Sequence, residues 1–121
     1  MALKVNNDSN VSAYILVNES SSGTTPNVNV TGTSGKIHSM DVSNGAATHT
    51  SFLKMKLTEG TVTAGTTEPD VMLTCGPSTS ERYDFPTGLD FSQLSFWTTR
   101  LAATTDTTTP NTTIVTILAS K

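Results

Sequence analysis

Lys36 to Leu57 reads KIHSMDVSNGAATHTSFLKMKL, two runs of alternating polar and apolar residues on either side of Asn44-Gly45. That period is the period of a strand with one buried face, and Asn-Gly accepts the positive φ of a type I′ turn. The stretch therefore predicts a β-hairpin. In its register Ser43 pairs near Thr48, His49 faces Val42, Ser51 faces Met40 and Leu53 faces His38. Met55 and Leu57 continue the core side, while Lys54, Lys56, Ser39 and Asp41 take the other. Phe52 is left on the outer face, under a loop or at an interface.

Toward the C-terminus the same strand grammar repeats. Thr58 to Asp70 is a connection punctuated by Gly60, Gly65 and Pro69. VMLTC (71–75) is then a strand, GPSTS a turn, and ERYDF (81–85) a strand with Tyr83 and Phe85 on one face, ended by Pro86, which cannot donate a ladder hydrogen bond. PTGLDFSQ (86–93) reads as a loop in which Leu89 and Phe91 tuck inward around Gly88. LSFWTTRL (94–101) carries Leu94, Phe96, Thr98 and Arg100 on one face and Ser95, Trp97, Thr99 and Leu101 on the other, so both faces need cover: the sheet interior on one side, a partner on the other. After a polar loop from Ala102, TTIVTIL (112–118) is a closing strand of buried character.

Toward the N-terminus, SAYILV (12–17) is a buried strand, residues 19–35 form a loop with one short edge strand at Asn27–Thr31, and the first residues are too polar to anchor themselves. The expected organisation is a flexible N-terminal arm over residues 1–11 and one domain over residues 12–121. Its fold class is all-β: a single β-sandwich, jelly-roll-like, of about eight antiparallel strands.

Composition agrees. The chain holds 24 Thr and 14 Ser in 121 residues, and β-branched, hydroxyl-bearing side chains favour strands and turns over helix. A net charge of −3 with seven scattered Lys and Arg supplies no basic patch, which excludes a nucleic-acid partner as an expectation. There is no apolar h-region near Met1 and no apolar run long enough for a spanning helix, so no membrane partner is expected and maturation in a cytoplasm is. The single Cys75, alternating with Leu73 and Val71, reads as a small buried hydrophobe.

No catalytic constellation is present. His38 and His49 share a face of the expected hairpin but are offset along the ladder, and no carboxylate accompanies them. GxSxG, GxGxxG and GxxxxGK[ST] do not occur. Glu59, Glu68, Asp70, Asp84, Asp90 and Asp106 fall in no calcium-loop spacing and read as solvated loop charges. The expectation is a non-enzyme with no catalytic, cofactor or metal residues. Its sole candidate site is an interface at Phe52, Trp97 and Arg100, the lone Trp being commoner in cores and subunit interfaces than in sugar sites.

Three echoes remain: GTTPNVNV (23–30), GTTEPDVML (65–73) and DTTTPNTTIV (106–115). Each sets Thr-Thr and Pro before an Asn or Asp, where Pro fixes φ and the Asx side chain can close a turn. They read as a recurring way of starting a strand. From Gly35 the order GKIHSMDVSNGAATHTSFLKMKL, TVTAGTTEPDVML, FPTGLDFSQLSFWTTR, DTTTPNTTIVTIL resembles a family of small β-sandwich proteins of tailed bacteriophages, over about residues 35–118. The resemblance implies a virion structural protein: a capsid decoration or cement protein docking as a symmetric oligomer, most simply a trimer, or a tail, collar or head-fibre component with a receptor or glycan-binding role. The partners it implies are copies of the chain itself and the major capsid protein or other virion proteins, and the localisation it implies is the virion, after synthesis in the bacterial host's cytoplasm.

Overall fold

The computed structural model describes residues 3–7, 14–46, 48–110 and 113–121. Eight strands lie in chain order: β1 (Leu3–Asn7), β2 (Tyr14–Ser22), β3 (Gly35–Asn44), β4 (Ser51–Lys56), β5 (Val71–Cys75), β6 (Thr79–Phe91), β7 (Ser95–Thr99) and β8 (Thr113–Ser120). They form a five-stranded sheet ordered β1-β2-β8-β3-β6 and a three-stranded sheet ordered β5-β4-β7, with every pairing antiparallel. The described residues contain no helix. The all-β, two-sheet expectation holds.

Alternation places the core between the sheets. Ile15 and Val17 of β2, Met40 and Val42 of β3, and Val115, Ile117 and Ala119 of β8 meet Leu53 and Met55 of β4, Cys75 of β5, and Leu94 and Phe96 at β7. Cys75 is buried as expected, its Sγ against the carbonyls of Val42 and Thr79.

The hairpin expected from Lys36–Leu57 does not form. β3 pairs with β6 and β8, β4 pairs with β5 and β7, and the chain crosses between the sheets at the Asn-Gly. Asn44 is no turn residue: it lies in both ladders, opposite Thr79 and Thr113. Its amide donates to the carbonyls of His49, Cys75 and Gly76 at 2.9–3.2 Å and its Oδ1 accepts from Ala46 N–H at 3.0 Å. The side chain ties the crossover to the end of β5, and those tertiary bonds outweigh the local turn preference.

Other differences have equally local causes. β6 runs past Pro86 because it is an edge strand and the pairing shifts there: Ile37 faces Leu89 and Ser39 faces Asp84, leaving Phe85–Gly88 opposite His38 alone. Gly88, at φ 81°, supplies the bend. Phe91 and Leu89 do turn inward, from a strand rather than a loop. Within the segment expected as a flexible arm, Leu3–Asn7 runs antiparallel to β2 as β1; Ser12 and Ala13, expected to begin the next strand, lie outside the described residues. The short strand expected at Asn27–Thr31 is reduced to a bridge, Asn27 to Phe96, extended by Val30 N–H to Leu94 O and Thr98 N–H to Gly23 O.

One end of the interior is polar. Ser22 and Thr98 share a 2.6 Å hydrogen bond, and Ser51 and Thr113 one of 2.7 Å, each joining the two sheets in a buried environment. Nearby Glu19 is 0% exposed yet follows the parity of Ile15 and Val17; its carboxylate accepts from Asn27 Nδ2 and from Ser21 N–H, both at 3.2 Å. Buried hydroxyls are costly only when unpaired. Ser51→Ala and Thr113→Val should therefore each destabilise by about 1 to 3 kcal/mol, and the double variant by clearly less than their sum. Urea denaturation of the four chains measures the coupling, and strict additivity would show that the bond contributes nothing.

Candidate functional site

The three candidate residues sit on or beside β4 and β7, and the structure treats them differently. Lys54 pairs with Trp97 across the outer face of the three-stranded sheet, and Phe52 pairs with Thr99 on that face. Trp97 is 1% exposed, Lys54 0%, and Ser95 and Thr99 are likewise buried. The expectation that a partner covers this face is corrected: the chain covers it with its own loops, residues 57–70 and 100–110. Phe52 is half-buried and only Arg100 is exposed. Trp97 is thus unavailable as an interface residue in this conformation.

The cover is held by named contacts. Lys54 Nζ donates to Ala103 O at 2.7 Å, Gln93 Nε2 to Gly60 O at 3.2 Å, and Thr104 Oγ1 to Glu68 Oε2 at 3.3 Å. Gly65, at φ 86°, approaches Thr107 so closely that a Cβ there would lie 2.6 Å from Thr107 Cγ2. Asx residues close both loops. Asp70 accepts from Leu57 N–H at 2.7 Å at the base of the first, while Asp106 accepts from the N–H groups of Leu101 and Thr108 inside the second. The reading of the Thr-Thr-Pro-Asx echoes as strand lead-ins holds for Asp70, one residue before β5.

Electrostatics follow from this burial. Desolvation lowers the Lys54 pKa below the ordinary lysine value, with the charge of Asp106 opposing the shift. For Asp106 desolvation pushes upward, but the hydrogen bonds from Thr108, the N–H groups of Leu101 and Thr108, and the Lys54 charge together hold its carboxyl below the usual value. Asp106 thus organises the lid as an anion.

Beside the lid a cavity of about 290 Å³ is lined by His49, Arg100, Leu101 and Thr108. Both ring nitrogens of His49 are buried without a protein hydrogen-bond partner, and Arg100 has no ion-pair partner among the described residues. Leu101, 59% exposed, forms a lip. A larger recess of about 440 Å³ lies where Ser34–Lys36 meet Asp90–Ser92 and Lys121, but there Lys36 is already paired with Asp90.

The two histidines do not share a face, because the hairpin that would have aligned them is absent. His38 is the bulged residue of β3; its Nε2 lies 2.7 Å from Ser120 Oγ and its ring packs edge-on against Tyr14 at 5.5 Å. His49 lies in the crossover before β4. The carboxylates stay dispersed: Asp84 pairs with Arg82, Asp90 with Lys36, and Asp70 with Lys56. Among the described residues no group of three His, Cys, Asp or Glu could hold a metal ion.

Sequence reasoning set His49 aside for want of a partner and did not anticipate the burial of Glu19 or Lys54. The parity of Glu19 with Ile15 and Val17 was a usable signal; nothing local to Lys54 was, since loops distant in sequence bury it. Compared with family models, with curated proteins and with solved structures, the chain gives no match in any of the three.

Proposed function

We propose that this chain is a non-enzymatic structural protein of a bacteriophage particle, a decoration or cement protein docking as a symmetric oligomer. Two things support the family side of this reading: the motif order from Gly35 to Leu118, and the strand order. One sheet runs β1-β2-β8-β3-β6 and the other β7-β4-β5 with the segment 23–30 hydrogen-bonded along β7, an order that supports a jelly-roll reading.

The observation that carries the docking side is apolar surface on the five-stranded sheet. Tyr14 and Leu16 on the outer face of β2 are 51% and 44% exposed, Ile114 on β8 is 37% exposed, and Leu16 pairs with half-buried Leu118. Leu3 and Val5, on the core side of β1, are exposed because the narrower sheet does not extend over them. The outer-face group around Tyr14, Leu16 and Leu118 suits docking by its chemistry, and Leu3 and Val5 are a second apolar patch on the opposite face of the sheet. In this reading the interface is the outer face of β2 and β8 rather than Phe52, Trp97 and Arg100.

Leu16→Lys tests it. Analytical ultracentrifugation should show the parent chain as an oligomer, a trimer being the simplest closed form, and the variant weakened in association by at least about tenfold. Its thermal midpoint should stay nearly unchanged, since a surface site costs only about ±0.5 kcal/mol. A parent chain that stays monomeric at high concentration and does not co-sediment with phage particles would end this reading.

A further inference from the structure

We infer that Asn44-Gly45 is a site of spontaneous deamidation that the native fold holds closed, and whose modification in the opened chain prevents return to that fold. The chemistry belongs to this segment and holds whatever the chain assembles with.

Of the eight Asn in the chain, Asn44 alone precedes Gly. In deamidation the backbone nitrogen of the following residue gives up its proton to a base and attacks the Asn side-chain carbonyl carbon. The new N–C bond closes a five-membered succinimide, and the side-chain nitrogen leaves as ammonia. Water then opens the ring at either carbonyl, leaving aspartate or the isomer whose backbone runs through the side chain. Gly at the attacking position has no Cβ to obstruct closure. The other Asn residues are followed by Asn, Asp, Glu, Val or Thr.

Ring closure requires Gly45 N and Asn44 Cβ to come nearly eclipsed about the Asn44 Cα–C bond, which takes Asn44 out of the extended region. The fold opposes that rotation. Asn44 ends β3, an inner strand, and stands in register with Thr79 of β6 on one side and Thr113 of β8 on the other. Its side chain is fixed too, with Nδ2 donating to the carbonyls of His49, Cys75 and Gly76 and Oδ1 accepting from Ala46 N–H. Ala46 is pinned in turn, its carbonyl accepting from Ser78 N–H at 2.9 Å. Gly45 is exposed between buried Asn44 and Ala46, so the protection comes from conformation and not from keeping water out.

Both products damage this junction. Aspartate at this position loses all three donations to carbonyls. The isomer adds a backbone methylene at the last rung of β3, displacing the chain between Thr79 and Thr113, and the buried Ser51–Thr113 hydrogen bond lies at that rung.

The experiment holds the full chain at mildly alkaline pH, native or unfolded in guanidinium chloride, follows every Asn by peptide mapping with mass spectrometry, and then dilutes the denaturant. In the unfolded chain Asn44 should be the first Asn to deamidate, and the refolded fraction should fall in step with its loss. In the native chain the reaction should run at least about a hundredfold slower, because it samples only the open population; that ratio corresponds to about 2.8 kcal/mol of opening at about 1.4 kcal/mol per tenfold. Unfolded incubation at mildly acid pH, where base is scarce, should preserve both Asn44 and the refolding yield. Gly45→Ala, compared in denaturant where its own folding does not enter, should deamidate at least about tenfold more slowly. Native modification as fast as unfolded, earlier reaction at another Asn, or a modified chain that regains the parent's thermal midpoint would each overturn the inference.

Discussion

Trp97→Ala is expected to lower the unfolding free energy by about 3 to 5 kcal/mol, the range for removing a large aromatic from a packed site. Trp97 is 1% exposed, stands opposite Lys54 in the ladder and is covered by loops 57–70 and 100–110. Truncation would leave a cavity under a lid with few other anchors, and would bring water to Lys54, whose charge is desolvated there. Chemical denaturation at two protein concentrations distinguishes this from a role in assembly. A loss of stability independent of concentration is the expected result; unchanged stability with weaker self-association would instead return Trp97 to a subunit interface.

Asn44→Asp should be nearly as damaging, at about 3 kcal/mol near pH 7. The substitution keeps size and shape but replaces an amide that donates to three carbonyls with a carboxylate that can only accept. A carboxyl held against carbonyls is easier to protonate in the folded than in the unfolded state, so its folded pKa is raised. The sign then follows from linkage: the folded state binds more protons, and stability is recovered as pH falls through the raised folded pKa toward the unfolded value near 4. Denaturation across pH 4 to 8 should show the variant approaching the parent at the acid end. A deficit independent of pH would mean that the carbonyl contacts of Asn44 are not what the residue contributes.

The strands were legible because the signal behind them is local. Alternation in VMLTC (71–75) and the apolar content of LSFWTTRL (94–101) and TTIVTIL (112–118) locate β5, β7 and β8 within two residues, while the run from Thr48 starts three residues ahead of β4. Partner choice was not. Asn44-Gly45 carried the cue for a two-strand turn, yet β3 and β4 went to different sheets, because the Asn44 amide satisfies carbonyls in the crossover and at the end of β5 and the register of each strand is set by the sheet it joins. Pro86 was a correct reason for broken pairing and an incorrect reason for ending a strand, since an edge strand can hold a bulge.

The candidate site shows the same division. Arg100 and Trp97 were singled out by residue type and His49 was weighed and set aside, but their placement depends on loops that close over the outer face of a sheet from separate parts of the sequence.

By itself the sequence determined that this protein is all-β, that its inward positions are the alternate apolar ones, and that the Thr-Thr-Glu-Pro-Asp segment leads into β5, because those properties rest on backbone preference and period within a few residues. Only the tertiary structure decided which strands meet, that Trp97 and Lys54 are covered from within, and that His49 and Arg100 line one cavity. Those outcomes depend on pairing, burial and hydrogen bonding between residues many positions apart, where the local pattern carries no information about which partner satisfies which group.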